Sequence, residues 1–199
     1  MFVVDDDISV RESLKPLIEL AGWLCETFAS ATEFLDRQAV SEASCLVLDV
    51  HLPDLDGLEL QRRIATDRCE MPIIFITGYG DVPTTVRAMK AGAIEFLTKP
   101  FSDDALLSAI AVAVERSARA LESRNEVSLL KNAFASLSRR EREVMMRVVT
   151  GQLNKQVAAD LGISEITVKA HRGRVMRKMH AGSLAQLVTI AARLRSHTA

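Results

Sequence analysis

Five short apolar runs alternate with longer amphipathic stretches through the first hundred residues, and this alternation constrains the fold more than any other feature of the chain. The strand candidates are Phe2–Val4, Leu24–Phe28, Cys45–Leu48, Ile73–Ile76 and Ile94–Leu97. Between them the apolar residues take helical spacing, as at Val10, Leu14, Leu17, Ile18 and Ala21. Ser30 with Glu33 forms a capping box for one helix, and Asp81 with Pro83 opens another through Val86 and Met89. Strands alternating with helices predict a doubly wound parallel sheet. In such sheets functional groups gather beyond the carboxyl ends of the strands.

The remainder of the chain has a different character. All five prolines lie in the first hundred residues, and neither Pro nor Gly occurs between Pro100 and Gly151. That stretch is predicted to be mostly helix, opened by Ser102 as a cap with Asp103 and Asp104 in its first turn. Leu106, Ile110, Ala113, Ser117, Ala120 and Arg124 follow a loose heptad, resumed at Val127, Leu130, Phe134 and Leu137. A helix pairing between protomers and a solvated single helix both fit, because residues 122–126 (ESRNE) are polar. Further helices are expected at Arg139–Val149, with Gly151 as its C′ residue, and at Asn154–Leu161. Gly162 turns the chain, Ser164 caps a helix from Glu165 to about Met179, and Leu184–Leu194 forms the last.

The overall charge of −1 conceals two opposed halves. Residues 137–199 carry 12 Lys and Arg against 4 Asp and Glu, and residues 1–136 carry 13 against 22. A basic half suits nucleic acid. No apolar run approaches the roughly 20 residues of a membrane span. The start, MFVVDDDISV, is acidic where a signal peptide is basic. A cytoplasmic protein with no targeting segment is expected. Cys25, Cys45 and Cys69 are odd in number and lie within or beside apolar runs, so they read as small buried hydrophobes, not as a disulfide or zinc framework.

Polar groups follow four of the predicted strands: Asp5, Asp6 and Asp7 the first, Asp49 the third, Thr77 the fourth and Lys99 the fifth. All would surface on one sheet edge. Clustered carboxylates repel unless a cation sits among them, and hard oxygen ligands with room for water suit Mg²⁺. An acceptor carboxylate, a metal, a fixed cation and a hydroxyl donor make up what phosphoryl transfer requires.

The segments VVDDD, LVLDVHLPDLDGLEL, FITGYGD and AMKAGAIEFLTKPF, in this order over residues 1–120, resemble the receiver domain of two-component systems. The resemblance implies a sheet of strand order 2-1-3-4-5 and Asp49 as the phosphoacceptor. It implies Asp5, Asp6, Asp49 and the backbone carbonyl of His51 as the Mg²⁺ ligands, Thr77 and Phe96 as a switch pair, Lys99 as the phosphoryl-binding cation and a cis Lys99–Pro100 bond. Asp7 also fits a simple helix cap, Asp54 and Asp56 fit turn residues, the His51 side chain fits a solvated loop group or one that affects phosphate lifetime, and Phe96 also fits plain strand core.

Farther on, LSRREREV from Leu137, GQLNKQVA from Gly151 and ISEITVKAH from Ile163 resemble the LuxR-type helix-turn-helix over about 136–195. Apolar Val157, Ala158, Leu161, Ile163 and Val168 would fix two helices across a glycine turn. The second would present Lys169, Arg172 and Arg174, with Arg177 and Lys178 beyond, and Lys155, Thr167 and Ala170 complete the expected DNA contacts. Gly173 interrupts this helix at a cost of about 1 kcal/mol relative to Ala. Close approach to DNA and simple tolerance at a surface position both explain it.

Together the segments resemble the NarL/FixJ response regulators, nearer the FixJ/StyR-like branch: a receiver over 1–120, a linker helix over 121–135 and a DNA-binding domain over 136–199. The resemblance implies a sensor histidine kinase and promoter DNA as partners, a homodimer on phosphorylation, and RNA polymerase as a further candidate. It implies a regulator and not an enzyme. Two rival readings require other features. An aspartate-based Mg²⁺ phosphatase would carry its nucleophile in a DxD motif at the first strand. A DNA-binding protein indifferent to phosphate would not need the full acidic set with Lys99.

Overall fold

Parallel pairing of five strands in the order β2-β1-β3-β4-β5 organises the N-terminal part of the chain in a computed structural model, which describes residues 1–38, 40–67, 71–78 and 80–196. The strands are β1 (Phe2–Val4), β2 (Glu26–Phe28), β3 (Leu46–Asp49), β4 (Ile73–Thr77) and β5 (Glu95–Thr98). Around them lie α1 (Ile8–Leu20), α2 (Ala31–Asp36), α3 (Gly57–Asp67) and α4 (Val82–Lys90). Then α5 runs unbroken over Asp103–Ala135.

Strand side chains alternate between two buried layers, as the two-residue period requires. Phe2, Val4, Leu46, Leu48, Ile73 and Phe75 pack in one core with Phe34, Leu60 and Ile64. Val3, Val47, Ile74 and Ile76 pack in the other with Ile18, Leu106 and Ile110. Burial on both faces is the parallel-sheet arrangement and explains why the central strands read as continuous apolar runs.

Strand pairing moves the ends by a residue or two from the apolar runs. Asp49 pairs with Ile76, and Thr77 with Thr98, so each finishes its strand instead of following it. Cys45 only flanks β3, accepting from the Phe2 amide. Leu24 lies outside β2 and is exposed; its carbonyl accepts from the Met1 ammonium.

Helix starts follow the predicted caps. Asp7 accepts from the Ser9 amide, Ser30 from Glu33, Asp81 from Thr84 and Ser102 from Ala105. The Glu33 carboxylate reaches back to Ala29 N, one residue before the cap. Asp54 is more than a turn residue: it accepts from the amides of Ala31 and Thr32 and from the Thr32 hydroxyl, a second cap for α2 from distant sequence. Burial pushes the Cys25 thiol up to about 11 and Cys45 up to about 12, in keeping with packed, unreactive thiols. Cys69 lies outside the described residues.

The chain forms two compact units, the first over Met1–Glu122 and the second from Ser123 onward. α5 contributes to both: Leu106, Ala109, Ile110, Ala113 and Ser117 are buried in the first, and Leu130, Ala133 and Phe134 pack against the core of the second. Its polar stretch, 122–126, is exposed throughout.

The second unit is all-helical, with α6 (Arg139–Val148), α7 (Asn154–Leu161), α8 (Glu165–Lys178) and α9 (Leu184–Ser196). Val144, Met145, Val157, Val168, Val175, Met179 and Leu187 fill its core. Gly162 closes α7 in the left-handed region (φ 64°), which only glycine enters freely. α6 ends sooner than expected. Val149 is its C-cap, and Gly151 (φ 88°) takes the left-handed position of the turn that follows, donating to the Val148 carbonyl. Among the described residues no helix is long and apolar enough to cross a membrane.

Candidate functional site: a strand-end carboxylate cluster and a basic helix

Asp5 follows β1 directly, tied by its amide to the Phe28 carbonyl, and is fully buried. Asp49 ends β3 and Thr77 ends β4, both buried. The Lys99 amide bonds to the Thr77 carbonyl at 2.7 Å, which brings its side chain to the same edge. The Lys99 ammonium lies 2.7 Å from Asp5 Oδ2 and 2.9 Å from Asp49 Oδ2. The other oxygen of each carboxylate accepts from a backbone amide, Asp7 N to Asp5 at 2.9 Å and His51 N to Asp49 at 3.1 Å. Six residues, Asp5, Asp7, Asp49, His51, Thr77 and Lys99, thus share one hydrogen-bonded network across up to 94 positions.

Burial pushes the Asp5 carboxyl above its ordinary value, with the bonds from Lys99 and the Asp7 amide pulling the other way. At Lys99 burial works against the charge, but the bonds and charges of Asp5 and Asp49 outweigh it and hold the ammonium above its ordinary value.

Exposed Asp6 completes a triad with Asp5 and Asp49, whose ligand oxygens lie within 4.8 Å of one another. Hard oxygen donors, two buried and one open to water, fit Mg²⁺, which keeps several waters and takes few protein carboxylates. Asp7 stands apart as the α1 cap. The exposed His51 side chain turns toward the cluster, its Nδ1 3.5 Å from Thr77 Oγ1. Phe96 is half-buried, its ring 6.1 Å from that of Phe75. The Lys99–Pro100 bond is cis.

Three supporting residues escaped the sequence reading. The Arg11 guanidinium donates to the carbonyls of Asp5 and Asp6 at 2.6 and 2.9 Å and fixes the β1–α1 loop. A Cβ at Gly57 would lie 2.5 Å from the Asp49 carbonyl, so only glycine lets α3 start this close to the end of β3. A Cβ at Gly80 would lie 2.5 Å from Thr98 Cγ2 and near Phe96 and Thr77, so a side chain there would crowd the proposed switch pair. Only the glycines themselves signal these approaches in sequence.

In the second unit, α7 and α8 form the helix pair across Gly162, with Ser164 accepting from the Thr167 amide at 3.1 Å. Lys155, Lys169, Ala170, Arg174 and Arg177 are exposed. The Thr167 hydroxyl lies 2.8 Å from the Ser164 hydroxyl, at the cap. Two cations depart from the expected outward face. Arg172 is half-buried and donates to Asn154 Oδ1 at 3.2 Å, bracing α8 on α7. Lys178 turns inward to the Ser136 carbonyl at 2.9 Å and buried Glu141 at 2.8 Å. Both reach partners that helical spacing within α8 does not reveal.

Glu141 also closes a capping box with Ser138. The Lys178 ammonium, then the Ser138 amide, hold its carboxyl down at about 2. The Ser138-x-x-Glu141 spacing made the box readable; the ion pair was not.

Known proteins match along the whole length. Residues 1–111 match the response regulator receiver domain, and residues 135–191 match the luxR family of bacterial regulatory proteins. Nodulation protein W of Bradyrhizobium diazoefficiens is 52% identical over 191 residues, 96% of this chain and 84% of that protein. The transcriptional regulatory protein FixJ of the same organism is 42% identical over 97% of this chain and 94% of its own. The solved structure of the response regulator StyR superposes with a TM-score of 0.87 at 46% identity, covering 96% of this chain and 97% of that one. The strand-end acidic cluster, the helix-turn-helix and these likenesses place the chain in the NarL/FixJ family of two-component response regulators, a receiver domain joined by a long helix to a LuxR-type DNA-binding domain.

Proposed function

We propose that a sensor histidine kinase phosphorylates Asp49 and that the modified chain dimerises and binds promoter DNA in the cytoplasm to regulate transcription. The functional division is a receiver over 1–120, a linker over 121–135 and a DNA-binding domain over 136–199. The observation that carries the reading is the setting of Asp49, with one carboxylate oxygen on the Lys99 ammonium, the other on a backbone amide, and Asp5 and Asp6 alongside. An Asp49 oxygen attacks phosphorus, an O–P bond forms, the N–P bond of the phosphohistidine breaks, and the imidazole leaves with the bonding pair and takes up a proton. Lys99 neutralises charge on the transferred group. Asp5, Asp6, Asp49 and the His51 carbonyl would hold Mg²⁺, which supplies further positive charge there when bound. The Thr77 hydroxyl then donates to a phosphoryl oxygen, and the Phe96 ring repacks into the space released, a local two-position element of the kind that switching needs. Pairing of two chains raises the effective concentration of two modest DNA modules. On DNA, Lys169, Ala170 and Arg174 of α8 meet bases and phosphates, with Lys155 and the Thr167 backbone at the rim and Arg172 placing the helix.

The test is sedimentation and DNA binding of the full chain with and without beryllofluoride, a phosphoryl mimic, in wild type, Asp49→Asn and Thr77→Ala. Wild type should dimerise and bind a selected duplex more tightly; Asp49→Asn should not respond. A wild-type chain that stays monomeric with unchanged affinity overturns the coupling.

A further inference from the structure

Gly173 sits in the middle of α8, and nothing inside the protein requires a glycine there. Its backbone is ordinary right-handed helix, unlike Gly162, whose φ is positive. Among the described residues a methyl group at this position would meet no heavy atom within 4 Å, so no described neighbour needs the space. Glycine is nevertheless among the least favourable residues for a helix interior. Whatever uses the missing side chain lies outside the chain.

Its place on the helix says where. Val168 and Val175 are the fully buried ridge of α8. Residues spaced by three, four and seven from Gly173 share its face. Ile166, Lys169, Ala170 and Arg177 at these spacings are exposed, Ile166 80% so, while Met176, three positions on, leans toward the core and marks the edge of the face. Gly173 is the centre of this outward ridge, Ala170 beside it is the next smallest residue, and cations stand four positions to either side. An α-helix carries its Cα atoms about 2.3 Å from the axis, whereas side chains bring the radius to about 5–6 Å. A ridge bare at its centre lets the axis lie deeper in a groove while the flanking Lys169 and Arg177 still reach the phosphates. Ile166 and Ala170 then offer the apolar surface that contacts thymine methyl groups.

We infer that Gly173 is a specificity-determining residue: its missing side chain sets how deeply α8 enters the DNA major groove, and so which base edges Ile166 and Ala170 reach. The inference rests on the DNA-binding reading of α8. The probe is a duplex selected from random sequence by the full wild-type chain with beryllofluoride, compared with an unselected duplex of equal length. Gly173→Ala should raise the thermal midpoint of the second unit by about 4–8 °C and weaken binding to the selected duplex by at least about ten-fold. Binding to the unselected duplex should change by less than about two-fold, because that binding is mostly phosphate contact. Gly173→Leu should weaken the selected complex further. More stable variants that bind the selected duplex as wild type does would overturn the inference and leave DNA binding intact. So would an equal loss on both duplexes. If wild type enriches no sequence at all, the DNA-binding reading fails first, and this inference with it.

Discussion

The two units handle charge in opposite ways. In the receiver, side chains of both signs from three strand ends converge until Lys99 bridges Asp5 and Asp49. In the second unit the cations of α8 stay apart: Lys169, Arg174 and Arg177 remain exposed, and only Lys178 meets a buried carboxylate. Converging charges of mixed sign create a small, partly dehydrated site with oxygen ligands for a cation beside a fixed ammonium. Separated charges of one sign create a surface for a long polyanion. The acidic first half and the basic second half of the sequence are the bulk trace of that division.

The largest effect should come from breaking the converging site at its centre. Asp49→Asn should reduce labelling by a small phosphoryl donor below detection, measured by phosphate-affinity electrophoresis. Retained labelling would move the acceptor elsewhere. Next, Lys99→Met removes the cation that two buried carboxylates share. Loss of about 2 kcal/mol in chemical denaturation is expected, less than the full cost of an unpaired buried charge because Asp5 can take up a proton. Added Mg²⁺ should restore part of it. Unchanged stability would mean that the carboxylates do not need Lys99.

The spread charges predict a different pattern. Lys169→Ala and Arg174→Ala should each reduce the slope of log affinity against log salt by about 1. Lys178→Met should leave that slope alone and instead cost about 1–2 kcal/mol of stability, since it strips a buried carboxylate of its partner. If Lys178→Met moves the slope as Lys169→Ala does, the inward and outward cations are not distinct.

In their dependence on pH the two units differ in sign. Glu141 is held at about 2 against an ordinary 4.5, so its contribution is complete above 4.5 and is lost as pH falls toward 2. Asp5 is raised, so the folded receiver holds that proton more tightly than the unfolded chain. Its contribution is present at low pH and is lost as pH rises from 3.8 through the raised value. Acid unfolding of wild type against Glu141→Gln and Asp5→Asn should show the first variant flattening the loss below pH 4.5 and the second removing the opposite trend. The same sign in both would refute the assignment.

Where the candidate site depends on residues at fixed places along single elements, its placement was legible in sequence. Asp5, Asp49, Thr77 and Lys99 each stand at the end of an apolar run, and parallel strands bring such ends to one edge whatever lies between. The helix caps were legible for the same local reason. What escaped depends on partners that helix and strand periods do not pair: Arg11 on the carbonyls of the loop just before its helix and, far apart in the chain, Asp54 on the start of α2, Arg172 on Asn154 and Lys178 on Glu141. A lysine or arginine reads the same whether it faces water or folds back, since its long stem permits both. Strand ends slipped by a residue because ladder pairing, not hydrophobicity, decides where a strand stops. Asp49 and Thr77 are polar, yet each is the last paired residue of its strand.

The fixing of α8 carries a consequence for how such a protein changes over generations. Ser164 caps its start, Arg172 braces it on α7, Val168 and Val175 anchor its inner ridge, and Lys178 ties its last turn to Glu141 and to the Ser136 carbonyl. None of these residues belongs to the outward ridge of Ile166, Lys169, Ala170, Gly173 and Arg177. Mutation on that ridge therefore alters the surface that α8 presents without putting the fold at risk. A duplicated gene is free to change that surface while the receiver stays as it was.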